Sequence, residues 1–469
     1  MKNKLSHYTI FTEIINEENE RLVYSTRSGM TMIISDTCFY FLTNDLLEHI
    51  PENICSKLFE NKVLVPFDEN ELHNIISQNN EEIDYKEGEL YEVIQPSANC
   101  QLGCYYCGQQ HEKDNLENEI IDKISNRILW KFDRGQYKGI YLAWFGGEPL
   151  MGLKQMRALN KKIKSFCNEK NITYGGKIVT NGLSLKPNIF LELANEFGID
   201  KIEITLDGIA KYHDEHRYLK TGGKSFDLIY KNLKNILLDP DFEKNKCSIS
   251  IRCNVDYKNI DGVLPLIEKL AADGLHKKIA YFYPVGVYSW GGNDAQKKSL
   301  TKEEFAMLQM KWKTKMIELG YYKNFPLPGR KKTACIAVGG ESEMYDAYGN
   351  VFNCTEISYS DFYKGSEYIL GNLKSSETLV YENKPLNDWH EIVENTTDYP
   401  CHSCRLLPVC GGSCPKAWKE GNPACPPFKF NIRKDIELKY LLKRTDANNL
   451  NSKLNKFSDM LTINDFKRN

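Results

Sequence analysis

The stretch CQLGCYYC, residues 100–107, puts three cysteines into eight residues at C-x3-C-x2-C spacing. Seven more lie between Cys335 and Cys425, so ten of the chain's 15 cysteines fall into two groups. A disulfide framework belongs to small exported domains, whereas this chain has 469 residues and opens MKNKLSHYTIFTEIINEENE, without an apolar signal core. Clustered thiols in a reduced compartment point instead to metal. Cys38, Cys55, Cys167, Cys247 and Cys253 stand apart in apolar or helical contexts and read as small packing or surface residues. Thiolates select zinc, copper(I) or iron–sulfur clusters. A structural site needs a fourth ligand, which His111 would supply in a Cys3His zinc site, while a catalytic site leaves one position open.

Between residues 89 and 300 strand-like and helix-like runs alternate. The strand candidates are YEVIQPSA, GIYLAWFGG, KIVTNG, KIEITLDG, CSISIRCNV and KIAYFYPV. Between them LENEIIDKISNRILWKF, LKQMRALNKKIKSFCNE, PNIFLELANEFG, FDLIYKNLKNILL and DGVLPLIEKLAADG repeat apolar residues at helical spacing. Six such units predict an α/β fold, a parallel sheet curved into a partial (β/α)6 TIM-like barrel with its site at the C-terminal ends of the strands.

Residues 1–88 hold three strand-like runs, YTIFTEII, RLVYSTRSG and MTMIIS, then short helical patterns around VLVPF. They predict a small α+β domain that ends in a polar linker, NNEEIDYKEG. Residues 301–329 read as a linker or helix. Residues 330–428 form a Cys-, Gly- and Pro-rich domain whose core is too small to stand without metal, and residues 429–469 a lysine-rich helical tail. The net charge of −2 gives no basic footprint for nucleic acid, and no apolar run nears the roughly 20 residues that span a bilayer. The expected location is the cytoplasm, with neither nucleic acid nor membrane as a partner.

C-x3-C-x-aromatic-C directly after a first barrel strand, with Tyr106 as the aromatic, resembles the signature of the radical S-adenosylmethionine (radical SAM) enzymes. WFGGEPL, at the end of the next strand, resembles their second motif. The resemblance implies that Cys100, Cys104 and Cys107 hold a 4Fe–4S cluster whose remaining iron is chelated by the amino and carboxylate groups of SAM. Gly146 and Gly147 would let the backbone approach the methionine end of SAM, and Glu148 would accept hydrogen bonds from its ammonium. Thr205 resembles a ribose contact, or else closes a strand-end turn. Arg217 in YHDEHR resembles a planar, bidentate partner for the SAM carboxylate, or else begins a solvated helix. Tyr106 is grouped with these cofactor contacts. Asn181 and Asn254 are less specific candidates, and His213 and His216 read as packing or surface residues.

The later cysteines run C-x13-G-x4-C from Cys335 to Cys354, then C-x2-C-x5-C-x3-C from Cys401 to Cys414, then Cys425. A zinc ribbon is the alternative, but seven thiolates leave two four-ligand sites one ligand short. The pattern resembles the seven-cysteine SPASM domain that follows radical SAM barrels acting on peptides and proteins. That resemblance implies two auxiliary 4Fe–4S clusters. Cys401, Cys404, Cys410 and Cys425 would hold one, and Cys335, Cys354 and Cys414 the other, nearer the barrel. The nearer cluster then has an open iron or a non-cysteine ligand such as Glu341.

Together these resemblances imply an oxidoreductase in which an electron splits SAM and the resulting 5′-deoxyadenosyl radical takes a hydrogen from a peptide. The expected function is maturation of a ribosomally made precursor peptide, leader plus core, by a thioether or carbon–carbon cross-link. A small electron carrier such as flavodoxin or ferredoxin would reduce the enzyme. The alternatives are formylglycine formation, as in anaerobic sulfatase-maturating enzymes, and peptide epimerisation. In the sulfatase branch an Asp follows the cysteine equivalent to Cys354, whereas Thr355 stands here. The N-terminal region resembles the winged-helix domains that capture leader peptides on a sheet edge.

Overall fold

The computed structural model describes residues 2–84, 88–322, 325–375 and 383–467. At its centre six strands follow one another in chain order: β6 (Glu89–Ile94), β7 (Gly139–Trp144), β8 (Thr173–Thr180), β9 (Ile199–Thr205), β10 (Ser248–Val255) and β11 (Tyr281–Gly286). All five junctions are parallel. The connections are helical, as parallel strands require: α4 (Asn118–Arg134), α5 (Leu153–Lys170), α6 (Pro187–Asn195), α7 (Ala210–His216), α8 (Phe226–Leu237) and α9 (Ile260–Ala272). Each of the six expected strands is present, in a partial-barrel arrangement.

Period-two alternation divides each strand between two environments. Ile140, Leu142 and Trp144 of β7, with Ile202 and Ile204 of β9, face the helices and join the main apolar core. The intervening residues face inward, and those near the strand ends are polar: Glu203 and Thr205, Arg252 and Asn254. Hydrophobic burial thus closes the outer face and leaves the inner mouth for chemistry.

Residues 2–84 precede the barrel. β1 (Asn3–Leu5) pairs with β5 (Leu64–Pro66), while β2 (Thr9–Phe11), β3 (Glu20–Ser25) and β4 (Met30–Ser35) form a three-stranded antiparallel sheet. The helices are α1 (Asp36–Thr43), α2 (Glu52–Glu60) and α3 (Glu71–Asp84). Helix α1 was not expected from DTCFYFLT, whose aromatic run favours a strand. Ser35 caps it by accepting from the Cys38 N–H at 3.1 Å. The expected linker NNEEIDYKEG is helical in its first part, as the last turns of α3.

Beyond the barrel lie α10 (Lys302–Glu318), β12 (Met344–Tyr345), β13 (Asn350–Phe352), β14 (Ile369–Asn372), α11 (Trp389–Asn395), α12 (Leu407–Cys410), α13 (Pro415–Lys419), α14 (Phe428–Arg444) and α15 (Ala447–Asp459). β12 adds to the free edge of β6 in parallel, so the hairpin that leads to Cys354 extends the barrel sheet. A buried charge cluster fixes this junction. Glu343, just before β12, accepts from Arg127 Nη2 at 2.6 Å and Lys131 Nζ at 3.0 Å, and Lys131 also pairs with Glu92 of β6. Helices α10, α14 and α15 share an apolar core with Ile10, Leu22 and Tyr24, which ties the N-terminal sheet to the body. Among the described residues no helix is long and apolar enough to cross a membrane.

Candidate active site

The loop after β6 carries the first three cysteines over the C-terminal mouth of the barrel. Leu102 bridges to Leu219, and the Gly103 N–H donates to the Tyr218 carbonyl at 2.9 Å. A Cβ on Gly103 would fall 2.5 Å from the ring of the exposed Tyr218, which packs directly over this glycine. Cys100, Cys104 and Cys107 thereby line one cavity with Gly146, Gly147, Glu148, Thr205 and Arg217. The cavity encloses about 1050 Å³, counting the part open to solvent. Burial pushes the thiols of Cys100 and Cys104 up to about 11 and raises Cys107 as well. Such thiols become thiolates when a cation supplies the compensating charge.

Glu148 is buried, and three donors hold it: Thr180 Oγ1 at 2.6 Å, the Asn181 N–H at 2.7 Å and the Leu150 N–H at 3.1 Å. Its carboxyl nonetheless sits above the ordinary range because burial outweighs these bonds. The two glycines before it serve packing as well as access. Gly146 has φ +131°, and a Cβ on Gly147 would meet the Asn99 carbonyl at 2.6 Å. The close neighbour of the GG pair is therefore the backbone of the cysteine loop.

Tyr106 points its hydroxyl away from free space. The hydroxyl donates to Asp207 Oδ2 at 2.6 Å and accepts from Arg217 Nη1 at 2.7 Å and Asn254 Nδ2 at 3.0 Å. Asp207 is buried, yet His216 and Arg217 hold its carboxyl down at about 2. Arg217 keeps a buried Nε without a hydrogen-bond partner among the described residues. A buried guanidinium with an unused donor, in a cavity shared with three thiols, fits a ligand carboxylate.

Asn254 is occupied by Tyr106 and by Arg252, and Asn181 Nδ2 lies 3.7 Å from Cys100 Sγ. His213 and His216 are both buried rather than at the surface. His213 Nδ1 accepts from the Asp207 N–H, and burial together with Arg217 lowers its pKa to about 3. His111 stands 3.9 Å from Cys107 Sγ, and burial lowers it to about 4.

Glu203, Arg252, Tyr288, Trp290 and Glu356 also line the cavity and were not anticipated. Glu203 and Arg252 each lie two residues before a nominated position, so period-two counting from Thr205 and Asn254 reaches them. Tyr288, Trp290 and Glu356 lie in loops and carry no such signal.

The later seven cysteines separate into two groups in space. Cys401, Cys404, Cys410 and Cys425 line one pocket with Leu406, Leu407, Trp418, Phe428 and Lys429. Lys429 Nζ lies 3.4 Å from Cys425 Sγ. Burial raises the Cys354 thiol and the charges of Cys335 and Cys414 add to it, while Cys414 also acts on the exposed Cys335. Glu341, the expected oxygen ligand, is directed elsewhere: its charge acts on Lys384 and Tyr137, beside the buried cluster of Glu343. The carboxylate whose charge acts on Cys354 and Cys414 is Glu356.

Residues 94–237 match the family model described as Radical SAM superfamily. The serine-type anaerobic sulfatase-maturating enzyme of Bacteroides thetaiotaomicron is 23% identical over 373 residues, 70% of this chain and 83% of that one. The cysteine-type anaerobic sulfatase-maturating enzyme of Clostridium novyi is 24% identical over 383 residues, 75% of this chain and 96% of that one. Among solved structures, anSMEcpe with bound AdoMet and Cp18Cys peptide superposes with TM-score 0.54 and 18% identity, covering 78% of this chain and 99% of that one. Streptococcus suis SuiB bound to S-adenosylmethionine superposes with TM-score 0.50 and 17% identity, covering 90% and 98%. At these identities the structural likeness is one of fold. The family match contains the three cysteines, the GGEP turn and Arg217 together, and over residues 94–237 the chain carries a Radical SAM domain.

Proposed function

We propose that this enzyme matures a ribosomally made precursor peptide, closing a thioether or carbon–carbon cross-link within it. The observation that carries the reading is the layout of one cavity. The three thiols, Glu148 and Arg217 line it together with Tyr288 and Glu356, and the charge of Glu356 acts on the thiols of Cys354 and Cys414. A peptide held in it would meet the three thiols and Glu356.

Cys100, Cys104 and Cys107 would hold the catalytic cluster, with Glu148 toward the SAM ammonium, Arg217 toward its carboxylate and Thr205 toward the ribose. The bound cofactors supply an electron to split SAM and a 5′-deoxyadenosyl radical that takes a hydrogen from the peptide. The protein orients the reactants and keeps water out. Two auxiliary 4Fe–4S clusters on the later cysteines would take back an electron as the new bond closes, and flavodoxin or ferredoxin would reduce the enzyme. The N-terminal sheet supports a peptide partner. β4 is an edge strand with Met30 and Ile33 exposed, and an extended leader could add to it.

Formylglycine formation is a second reading, favoured by the two sulfatase-maturating relatives. Both reactions need an iron protein that cleaves SAM. Anaerobic reconstitution should therefore yield roughly twelve irons per chain, as three cubane clusters require. Dithionite and SAM should then release 5′-deoxyadenosine; a zinc protein that releases none would refute both readings. Co-expression with a precursor encoded nearby separates them. A cross-link removes two hydrogens and leaves no aldehyde, formylglycine reacts with a hydrazide probe, and epimerisation leaves the mass unchanged.

A further inference from the structure

We infer that Asp207 is a positioning residue: its carboxylate, acting through the Tyr106 hydroxyl, fixes Arg217 in the cavity for the carboxylate of SAM. The inference rests on the SAM reading above. Asp207 follows β9 by two residues, is fully buried and is not part of the cavity wall. Its backbone is held at both ends. The N–H donates to His213 Nδ1 at 3.1 Å, and the carbonyl accepts from Asn259 Nδ2 at 3.1 Å. The side chain then serves two partners: Oδ1 accepts the Asn254 N–H at 2.8 Å and Oδ2 accepts the Tyr106 hydroxyl at 2.6 Å. His216 Nδ1 stands 3.7 Å from Oδ2, and its other nitrogen 3.3 Å from Asp256 Oδ1. Both oxygens of Asp207 face donors, a pattern that an ionised carboxylate, which only accepts, satisfies.

The Tyr106 hydroxyl is the hub. It has one hydrogen to give and two lone pairs to receive with. Arg217 Nη1 and Asn254 Nδ2 occupy the lone pairs, at 2.7 and 3.0 Å. The Asn254 amide cannot turn round, because its Oδ1 already accepts from Arg252 Nε at 2.9 Å. The hydroxyl hydrogen is thus left with Asp207 as its acceptor. The carboxylate sets which way the hydroxyl points, and that direction presents a lone pair, not a proton, to Arg217. Arg217 and Asn254 both line the cavity with Cys100, Cys104 and Cys107, so the setting reaches the SAM side although Asp207 does not. An amide in place of the carboxylate breaks the pattern whichever way it lies. With its nitrogen toward Tyr106 it meets a hydroxyl that has lost its acceptor, and with its nitrogen toward Asn254 it meets a backbone N–H. Either way a buried donor faces a donor, which costs more than the loss of one bond.

The test uses the full-length, anaerobically reconstituted protein. SAM affinity is measured by calorimetry, and KM and kcat from 5′-deoxyadenosine release with dithionite. Asp207→Asn should weaken SAM binding and raise its KM by about 10-fold, the lower end for a lost hydrogen bond to a charged group, while kcat and iron content hold. Tyr106→Phe, which removes the hub, should give the same shift. Asp214→Asn is the control, since that carboxylate serves the Ser225 and Phe226 N–H groups and its variant should bind SAM as the parent does. Parental SAM affinity in either Asp207→Asn or Tyr106→Phe overturns the inference. So does an equal loss in Asp214→Asn, or a fall in kcat and thermal midpoint at unchanged KM, the mark of a merely structural role. Should Asp207→Asn fail to fold, Tyr106→Phe still tests the inference, because every step runs through that hydroxyl. A parent protein that releases no 5′-deoxyadenosine refutes the SAM reading itself, which is a separate outcome.

Discussion

The barrel-mouth cavity and the pocket of Cys401, Cys404, Cys410 and Cys425 both gather buried and half-buried thiols, but their surroundings differ. The first is wide and edged by Glu148, Thr205, Arg217, Asn181 and Glu356. The second is about 350 Å³ and walled by Pro400, Leu406, Leu407, Trp418 and Phe428, with Lys429 as its charged member. Three sulfurs among polar groups leave room for a ligand, whereas four among apolar ones fill their own shell. This is the distinction between catalytic and structural metal sites, where an open coordination position goes with reactivity and a closed one with folding. Burial raises the thiols of Cys401 to about 12 and Cys410 to about 11, so without a cation they stay protonated and neutral.

The largest test of this contrast removes one cysteine from each site. Cys104→Ala should reduce 5′-deoxyadenosine formation to background, with about one-third of the iron lost if each cluster holds four irons. Its thermal midpoint should stay near that of the parent. Cys404→Ala should do the reverse: iron falls by a similar share, the thermal midpoint falls sharply, and SAM cleavage per remaining folded molecule persists. Its loop is tied to the N-terminal domain through His7 Nε2 and the Ser403 carbonyl at 2.9 Å and through Thr26 Oγ1 and the Arg405 carbonyl at 2.7 Å. Loss of the outer metal should therefore also raise hydrogen exchange in β2 and β3. Equal loss of activity and stability in both variants would erase the distinction.

The contrast was partly legible in the sequence. The two cysteine groups, the six βα units and the GGEP turn could be read because spacing and periodicity are local properties. The inner wall could not. Glu203 and Arg252 look like solvated strand residues until the sheet curves, and only then do their alternate positions converge on Thr205 and Asn254. Glu341, the non-cysteine alternative to an open iron, lies between Cys335 and Cys354 in the chain. It precedes β12, which pairs with β6, and that pairing carries it toward the cations of α4 and Lys384. Glu356 follows the β12–β13 hairpin and lines the cavity. Helix α1 was hidden by its aromatic composition, and the end of α3 by its polarity.

A smaller effect should separate the two functions of Arg217, which anchors Tyr106 through Nη1 and lines the cavity. Arg217→Lys keeps a charge but loses the fork. Loss of a hydrogen bond to a charged group costs about 1.5–3 kcal/mol, so SAM binding measured by calorimetry should weaken by about 10- to 100-fold. The outer pocket is remote from this change and should keep its iron. An unchanged SAM affinity would mean that the guanidinium serves only Tyr106.

The smallest effect is one of pH, and it should also fall on the barrel site alone. His213 is buried and neutral, and it accepts from the Asp207 N–H while Ser225 Oγ contacts its other nitrogen at 3.1 Å. Its pKa is lowered to about 3 in the folded protein, against 6.5 for an ordinary histidine. The unfolded chain therefore takes up a proton that the folded chain refuses. Its contribution to stability is complete above pH 6.5 and is lost as pH falls from there toward 3. By pH 5 the loss should reach about 2 kcal/mol, since each pH unit in this window is worth about 1.4 kcal/mol. His213→Gln replaces the imidazole with a neutral group that does not titrate, so the slope of stability between pH 6.5 and 5 should flatten by that amount, whatever the offset at pH 7. Denaturant unfolding at several pH values measures it. A parallel slope in wild type and variant would place the acid sensitivity of this chain elsewhere and remove His213 from the support of the Asp207–Tyr106–Arg217 chain.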